Sequence, residues 1–120
     1  MAQPNIFPAL RYADADAALD WLTRVFGFTE KSVYRDDRGT IAHAEVQLGA
    51  GLVMFGQGTG RSGGGIYVRV DDPDAHYRRA KDAGAEIVYE LTDMDYGSRE
   101  YSARDPEGNV WSFGTYDPYA

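Results

Sequence analysis

The chain has 120 residues, with 12 Lys or Arg against 19 Asp or Glu and a net charge of −7. That length suits one compact domain or two small halves sharing a core. The acidic balance repels phosphate backbones, so no nucleic-acid partner is expected, and the lack of cysteine excludes disulfides and thiolate chemistry.

The N-terminal MAQPNIFPAL has neither a basic region nor a long apolar run, so a signal peptide is not expected. No stretch approaches the roughly 18 apolar residues of a membrane span. The expected location is cytoplasmic, without a membrane partner. Hydrophobic content of 43% is ordinary, but nine Tyr, five Phe and two Trp supply many flat surfaces with polar handles.

In chain order, a strand over Ile6–Tyr12 runs into an acidic turn where Asp14 can cap a helix. That helix is predicted over Ala15–Phe26, burying Ala18, Trp21, Leu22, Val25 and Phe26 at three- and four-residue spacing and stopping at Gly27. Three strands follow at Phe28–Arg35, Thr40–Leu48 and Leu52–Gly56, with Asp36–Gly39 as a turn. A second round begins with a strand at Ile66–Val70. A more polar helix follows at Asp74–Ala83, capped by Asp72, with Pro73 in its first turn and a stop at Gly84. Strands at Glu86–Leu91, Arg99–Arg104 and Val110–Tyr116 complete it, with Asp105–Gly108 as a turn.

The two rounds are a repeat. RYADADA (Arg11–Ala17) and RVDDPDA (Arg69–Ala75) share four of seven residues, and the 58-residue offset that aligns them also sets Phe55 and Gly56 on Phe113 and Gly114. The reading is an α+β chain of two tandem βαβββ modules, residues 5–58 and 65–116, joined by a glycine-rich linker over 56–65. That linker contains Gly58-x-Gly60-x-x-Gly63, the spacing of a dinucleotide-binding loop. Such a loop needs a helix at its last glycine to hold a pyrophosphate, and the strand pattern of Ile66–Val70 follows instead, so nucleotide binding is not expected.

Strand alternation gives each sheet two faces. Pro8, Leu10 and Tyr12, then Ala42, Ala44, Val46 and Leu48, are assigned to the helix side, as are Trp111 and Phe113. The opposite faces carry Phe7, Arg11, His43, Glu45, Met54, Tyr67, Tyr101 and Ser112. Curled, this surface is a pocket with apolar walls and a few polar groups; flat, it is a solvated sheet face. Periodicity favours neither. His43 and Glu45 emerge from one strand face, and three roles stay open for them: acid and base, positioning a ligand, or a mutually satisfied surface pair. His76 is assigned to the surface of the second helix, and Arg11 and Arg69 are expected to pair with acidic neighbours. Met94 and Tyr96 lie in a polar turn, suited to a lid or a dimer contact.

Four segments together resemble the vicinal oxygen chelate superfamily of glyoxalases, extradiol dioxygenases and bleomycin-resistance proteins. They are LRYADADAALDWLTRVFGF (Leu10–Phe28), HAEVQLGAGLVMFG (His43–Gly56), YVRVDDPDAHYRRAKDAGAEIV (Tyr67–Val88) and ARDPEGNVWSFGTY (Ala103–Tyr116). The resemblance implies two βαβββ modules around a U-shaped cleft, often in a homodimer that exchanges modules. It also implies that metal-dependent members place ligands at positions matching Phe7, Met54, Gly65 and Ser112. None is an ordinary ligand for a divalent ion. Neither a metal nor another cofactor is therefore expected, and the resemblance turns to members that sequester a drug unchanged. An aromatic small-molecule ligand is expected, with the acidic balance favouring a cationic one, together with a homodimer. An enzyme working through His43 and Glu45 or a displaced metal, and a regulatory module without ligand, stay open as alternatives.

Overall fold

The computed structural model describes residues 4, 7–59 and 65–118. They divide into two compact units, 1–62 and 63–120. Each unit is a βαβββ module. The first has β1 (Ala9–Tyr12), α1 (Ala15–Val25), β2 (Thr29–Arg35), β3 (Ile41–Leu48) and β4 (Gly51–Gln57). The second has β5 (Gly65–Arg69), α2 (Pro73–Asp82), β6 (Glu86–Asp93), β7 (Arg99–Arg104) and β8 (Val110–Gly114). Their sheets have the same order, β1-β4-β3-β2 and β5-β8-β7-β6. The pairs β1–β4 and β5–β8 are parallel and the remaining pairs antiparallel. The architecture is thus the α+β duplication read from the repeat. Neither helix is long and apolar enough to cross a membrane.

Equivalent local chemistry builds the two modules. Asp14 and Asp72 each cap a helix, their carboxylates accepting from Ala17 N and Ala75 N at 3.0 Å. Gly27 and Gly84 then take left-handed φ values of 81° and 89°, which end the helices at little steric cost. Asp16 and Asp74, also 58 positions apart, each accept from an arginine of their own sheet. Arg35 of β2 reaches Asp16 at 2.7 Å, and Arg99 of β7 grips Asp74 at 2.8 and 3.2 Å. These hydrogen bonds hold both carboxyls below the usual range. The repeated aspartates are therefore a cap and a helix-to-sheet tie. Arg69 pairs with Asp71 at 2.8 Å, as its acidic surroundings suggested.

Of the glycine-rich stretch, residues 60–64 lie outside the described residues. The strand β5 follows directly at Gly65, and the next helix starts only at Pro73.

In each sheet one face meets the helix. Leu10, Tyr12, Val46, Val53 and Phe55 are buried with Leu22, Val25 and Phe26 in module one. Trp111, Phe113, Tyr101 and Ala103 are fully buried in module two. Three expectations need correcting. Ala42 is exposed and Ile41 buried, because the β2–β3 register shifts between Tyr34 and Arg35 and swaps the faces at that end. Trp21 is half-buried, its ring edge-on to Phe26 at 4.7 Å. His76 is half-buried rather than solvated: its ring lies 4.1 Å from that of Phe113, and Nδ1 is 2.6 Å from the Tyr101 hydroxyl.

The β7–β8 turn hangs on one carboxylate. Asp105, 3% exposed, accepts from the backbone N–H of Glu107 and Asn109, from Asn109 Nδ2 and from Trp111 Nε1 at 3.0 Å. The Asp36 carboxylate accepts from Arg38 N and Thr40 N in the β2–β3 turn, in solvent. Replacing Asp105 by Ala strands several buried donors, each costing about 1–3 kcal/mol. Urea unfolding is expected to show a loss of about 3 kcal/mol or more for Asp105→Ala and roughly 1 kcal/mol or less for Asp36→Ala.

Candidate functional site

Each sheet has a second face that no helix of its own module covers. In module one, Ala9, Met54 and Glu45 form a cross-strand row over β1, β4 and β3, with Ser32 of β2 beyond. Phe7 precedes β1 at the alternation of Ala9 and Arg11 and is 42% exposed. Arg11 pairs with Gly56, and its aliphatic stem lies where a side chain on Gly58 would stand. Five expected site residues, Phe7, Arg11, His43, Glu45 and Met54, therefore belong to this module and this face.

His43 and Glu45 are in direct contact, Nε2 to Oε2 at 2.9 Å, and half-buried. Lys31 Nζ approaches the other Glu45 oxygen at 3.8 Å, and the Tyr34 ring lies 6.1 Å from the imidazole. The pair has a proton-sharing geometry and a nearby cation, and it also satisfies itself.

In module two the helix-free face is more aromatic. One row runs Tyr67 (β5), Ser112 (β8), Ser102 (β7) and Tyr89 (β6). The two serines bond to each other, Oγ to Oγ at 2.6 Å. The row thus has small residues in the middle and tyrosines at strands roughly 14 Å apart. The next row holds Gly114 and Glu100. A Cβ on Gly114 would collide with the Glu100 side chain and Ser98 Oγ, so the glycine is what lets that carboxylate lie across β8. Glu100 is 4% exposed. It accepts from Tyr89 Oη at 3.3 Å, and its interaction with the Tyr96 hydroxyl raises that phenol. Tyr67 donates to the Tyr116 backbone carbonyl at 2.7 Å. The Tyr116 ring is edge-on to Tyr67 at 6.3 Å and to Tyr96 at 6.0 Å.

Tyr67 and Ser112 stand where alternation put them. Tyr101 does not. Its partner across the ladder is Phe113, which puts it on the helix side, stacked on Phe113 at 5.4 Å and edge-on to Tyr77 at 5.3 Å. Burial pushes its phenol up. The neighbours Glu100 and Ser102 hold the face assigned to Tyr101. Glu100, Tyr89 and Tyr116 were not named as site residues from the sequence, and Tyr96 was expected only in a lid or a dimer contact. The Asp105–Gly108 turn carried a signal for the first: closing the hairpin there pairs Arg104 with Val110, and counting back faces Glu100 towards Gly114.

Metal-dependent relatives would hold their ion at the positions of Phe7, Met54, Gly65 and Ser112. Phe and Gly offer no donor, Met suits only soft ions, and the Ser112 hydroxyl is engaged by Ser102. Among the described residues no group of three or more His, Cys, Asp or Glu is placed to hold a metal. The residues at those four positions do not fit a divalent ion.

Two βαβββ modules of identical topology define a class of tandem-module proteins. The profile of the Glyoxalase/Bleomycin resistance protein/Dioxygenase superfamily matches residues 7–113, and the chain belongs to that superfamily. The crystal structure of TioX from Micromonospora sp. ML1 is similar at 37% identity and a TM-score of 0.82, over 95% of this chain and 99% of that one. The genomically encoded fosfomycin resistance protein FosX from Listeria monocytogenes, complexed with Mn(II) and sulfate, shares the fold. It has 14% identity and a TM-score of 0.72, over 99% of this chain and 97% of that one. An uncharacterised protein of Mycobacterium bovis is 29% identical over 93% of this chain and 83% of its own length.

The Tyr96 phenol is pushed up to about 12, first by its hydrogen bond to Glu100 and then by burial and the carboxylate's charge. Burial is also the first cause raising Tyr67. The folded chain holds the Tyr96 proton more tightly than the unfolded chain does. The contact therefore stabilises fully below the ordinary value of 10.0 and is lost as pH rises through about 12. Tyrosine ring-carbon NMR, assigned with Tyr96→Phe, is expected to show this titration and its return towards 10.0 in Glu100→Gln.

Proposed function

We propose that the protein binds an aromatic small molecule on its helix-free sheet faces and sequesters it unchanged, in the manner of a drug-resistance protein. The observation that carries this reading is the chemistry of those faces. Phe7 and Met54 take positions where a metal enzyme needs donors, and Tyr67, Tyr89, Tyr96 and Tyr116 stay 36–55% exposed beside a floor of small residues. Large aromatics left in solvent are costly unless something covers them, and flat rings stack on them at about 0.5–1.5 kcal/mol each beyond area burial. In this reading Arg11, His43, Glu45 and Ser112 orient the ligand's polar groups. Tyr101 is left out, because it packs against α2. The reading includes a homodimer.

Equilibrium dialysis of the purified protein against a panel of aromatic antibiotics, bleomycin among them, tests it with mass spectrometry on both sides. One compound retained and recovered at its starting mass is expected. A compound of altered mass, or no retention from the whole panel, contradicts the reading. For the retained compound, Phe7→Ala and Tyr67→Ala are expected to weaken binding about tenfold each with unchanged circular dichroism. Sedimentation velocity is expected to give a dimer.

A second reading has one observation in its favour, the 2.9 Å contact between His43 and Glu45. A base and its orienting carboxylate at that distance suit proton abstraction. Product formation that vanishes in His43→Ala, with binding retained, would move the protein to the enzymes.

A further inference from the structure

Module two holds a carboxylate whose situation the binding reading leaves unexplained. Glu100 is 4% exposed, and among the described residues no Lys, Arg or His nitrogen lies within ion-pair distance of it. An uncompensated buried charge is expensive. The Tyr89 hydroxyl offsets part of that cost, and the Tyr96 hydroxyl interacts with the same carboxylate. A single hydrogen bond satisfies only part of what a carboxylate accepts, and Arg99, the next residue of β7, points to the opposite face of the sheet, where it meets Asp74 and Asp93. The rings on those hydroxyls stay exposed, Tyr89 at 36% and Tyr96 at 55%, with Tyr67 at 36% and Tyr116 at 49% beside them. Four exposed tyrosine rings around one buried negative charge are complementary to a single ligand class. An organic ammonium gains from the ring faces and from the carboxylate together, and its weak hydration makes it cheap to desolvate.

We propose that the tyrosine ring formed by Tyr67, Tyr89, Tyr96 and Tyr116 around Glu100 is a subsite for an organic ammonium group of the ligand. This deepens the binding reading and rests on it for the role of Tyr67, but the subsite lies wholly within module two. Tyr89 holds the carboxylate at the floor, and its ring and that of Tyr96 form the wall. Ser102 and Ser112 line the row next to it and leave space for a flat group between Tyr67 and Tyr89. The module's overall acidity draws cations towards it.

The test is calorimetric titration of the full chain with benzyltrimethylammonium and, separately, with benzyl alcohol as the uncharged ring. The ammonium is expected to bind at least about tenfold more tightly than the alcohol. Glu100→Gln is expected to remove that preference. Should Glu100→Gln fail to fold, Tyr96→Leu on the exposed wall is expected to weaken the ammonium about fivefold or more while leaving the alcohol unchanged. Asp36→Ala, in the β2–β3 turn of the other module, is expected to leave ammonium binding as it is. Equal binding of both probes, or an ammonium preference that survives Glu100→Gln and Tyr96→Leu, overturns the proposal. An antibiotic retained unchanged without any ammonium preference would sink the subsite and leave the sequestration reading standing. Ammonium binding with no antibiotic retained would do the reverse.

Discussion

Each module has one helix and one four-stranded sheet, and one helix covers one face. Everything distinctive about the chain follows from that count. The covered face takes the aliphatic and aromatic bulk, with Trp111, Phe113, Tyr101, Tyr12 and Phe55 at or near zero exposure. The other face is left to whatever meets it, and its composition shows what it has to tolerate. In module one it carries an imidazole–carboxylate pair, a thioether and a phenylalanine. In module two it carries serines, a glycine, a buried carboxylate and four exposed tyrosines.

The duplication makes the asymmetry between the modules informative. The caps, helix stops and aspartate-to-arginine ties repeat from one module to the other, because both must solve the same folding problem. Gly56 and Gly114 are equivalent too, and each is required by a close neighbour, the Ala42 carbonyl in one case and the Glu100 side chain in the other. The helix-free faces do not repeat: Ala9 corresponds to Tyr67 and Met54 to Ser112. Folding constrains the shared positions and leaves the divergent ones free to differ. The likeness to FosX, which holds Mn(II) in its structure, extends to the fold alone.

The architecture was legible because its signals are local and doubled. Helix periodicity, Asp caps, Gly stops and the 58-residue offset all agreed, and strand ends differ from expectation by a few residues. Faces were legible only where alternation ran unbroken. The shift between Tyr34 and Arg35 exchanged Ile41 and Ala42, and the irregularities between Ile87 and Thr92 hid Tyr89's place opposite Ser102. Tyr101 was misplaced for a different reason. An aromatic residue suits either face, and only the register counted from the Asp105 turn assigns it to Phe113. His76 looked solvated among its charged helix neighbours, yet its partner, the Tyr101 hydroxyl, is 25 positions away in sequence. The Glu100 ring of tyrosines joins residues from β5, β6, the β6–β7 turn and the segment after β8, a juxtaposition that no spacing rule expresses.

The central claim is that aromatic surfaces have replaced a metal as the means of gripping a ligand. Elemental analysis tests it most directly. The protein, purified without a metal-affinity step, is measured as isolated and again after incubation with Zn²⁺, Ni²⁺, Mn²⁺ and Fe²⁺ and removal of excess. The account predicts no stoichiometric metal in either sample. One ion retained per chain would contradict it, and would mean that Phe7, Met54, Gly65 and Ser112 are not the positions that matter.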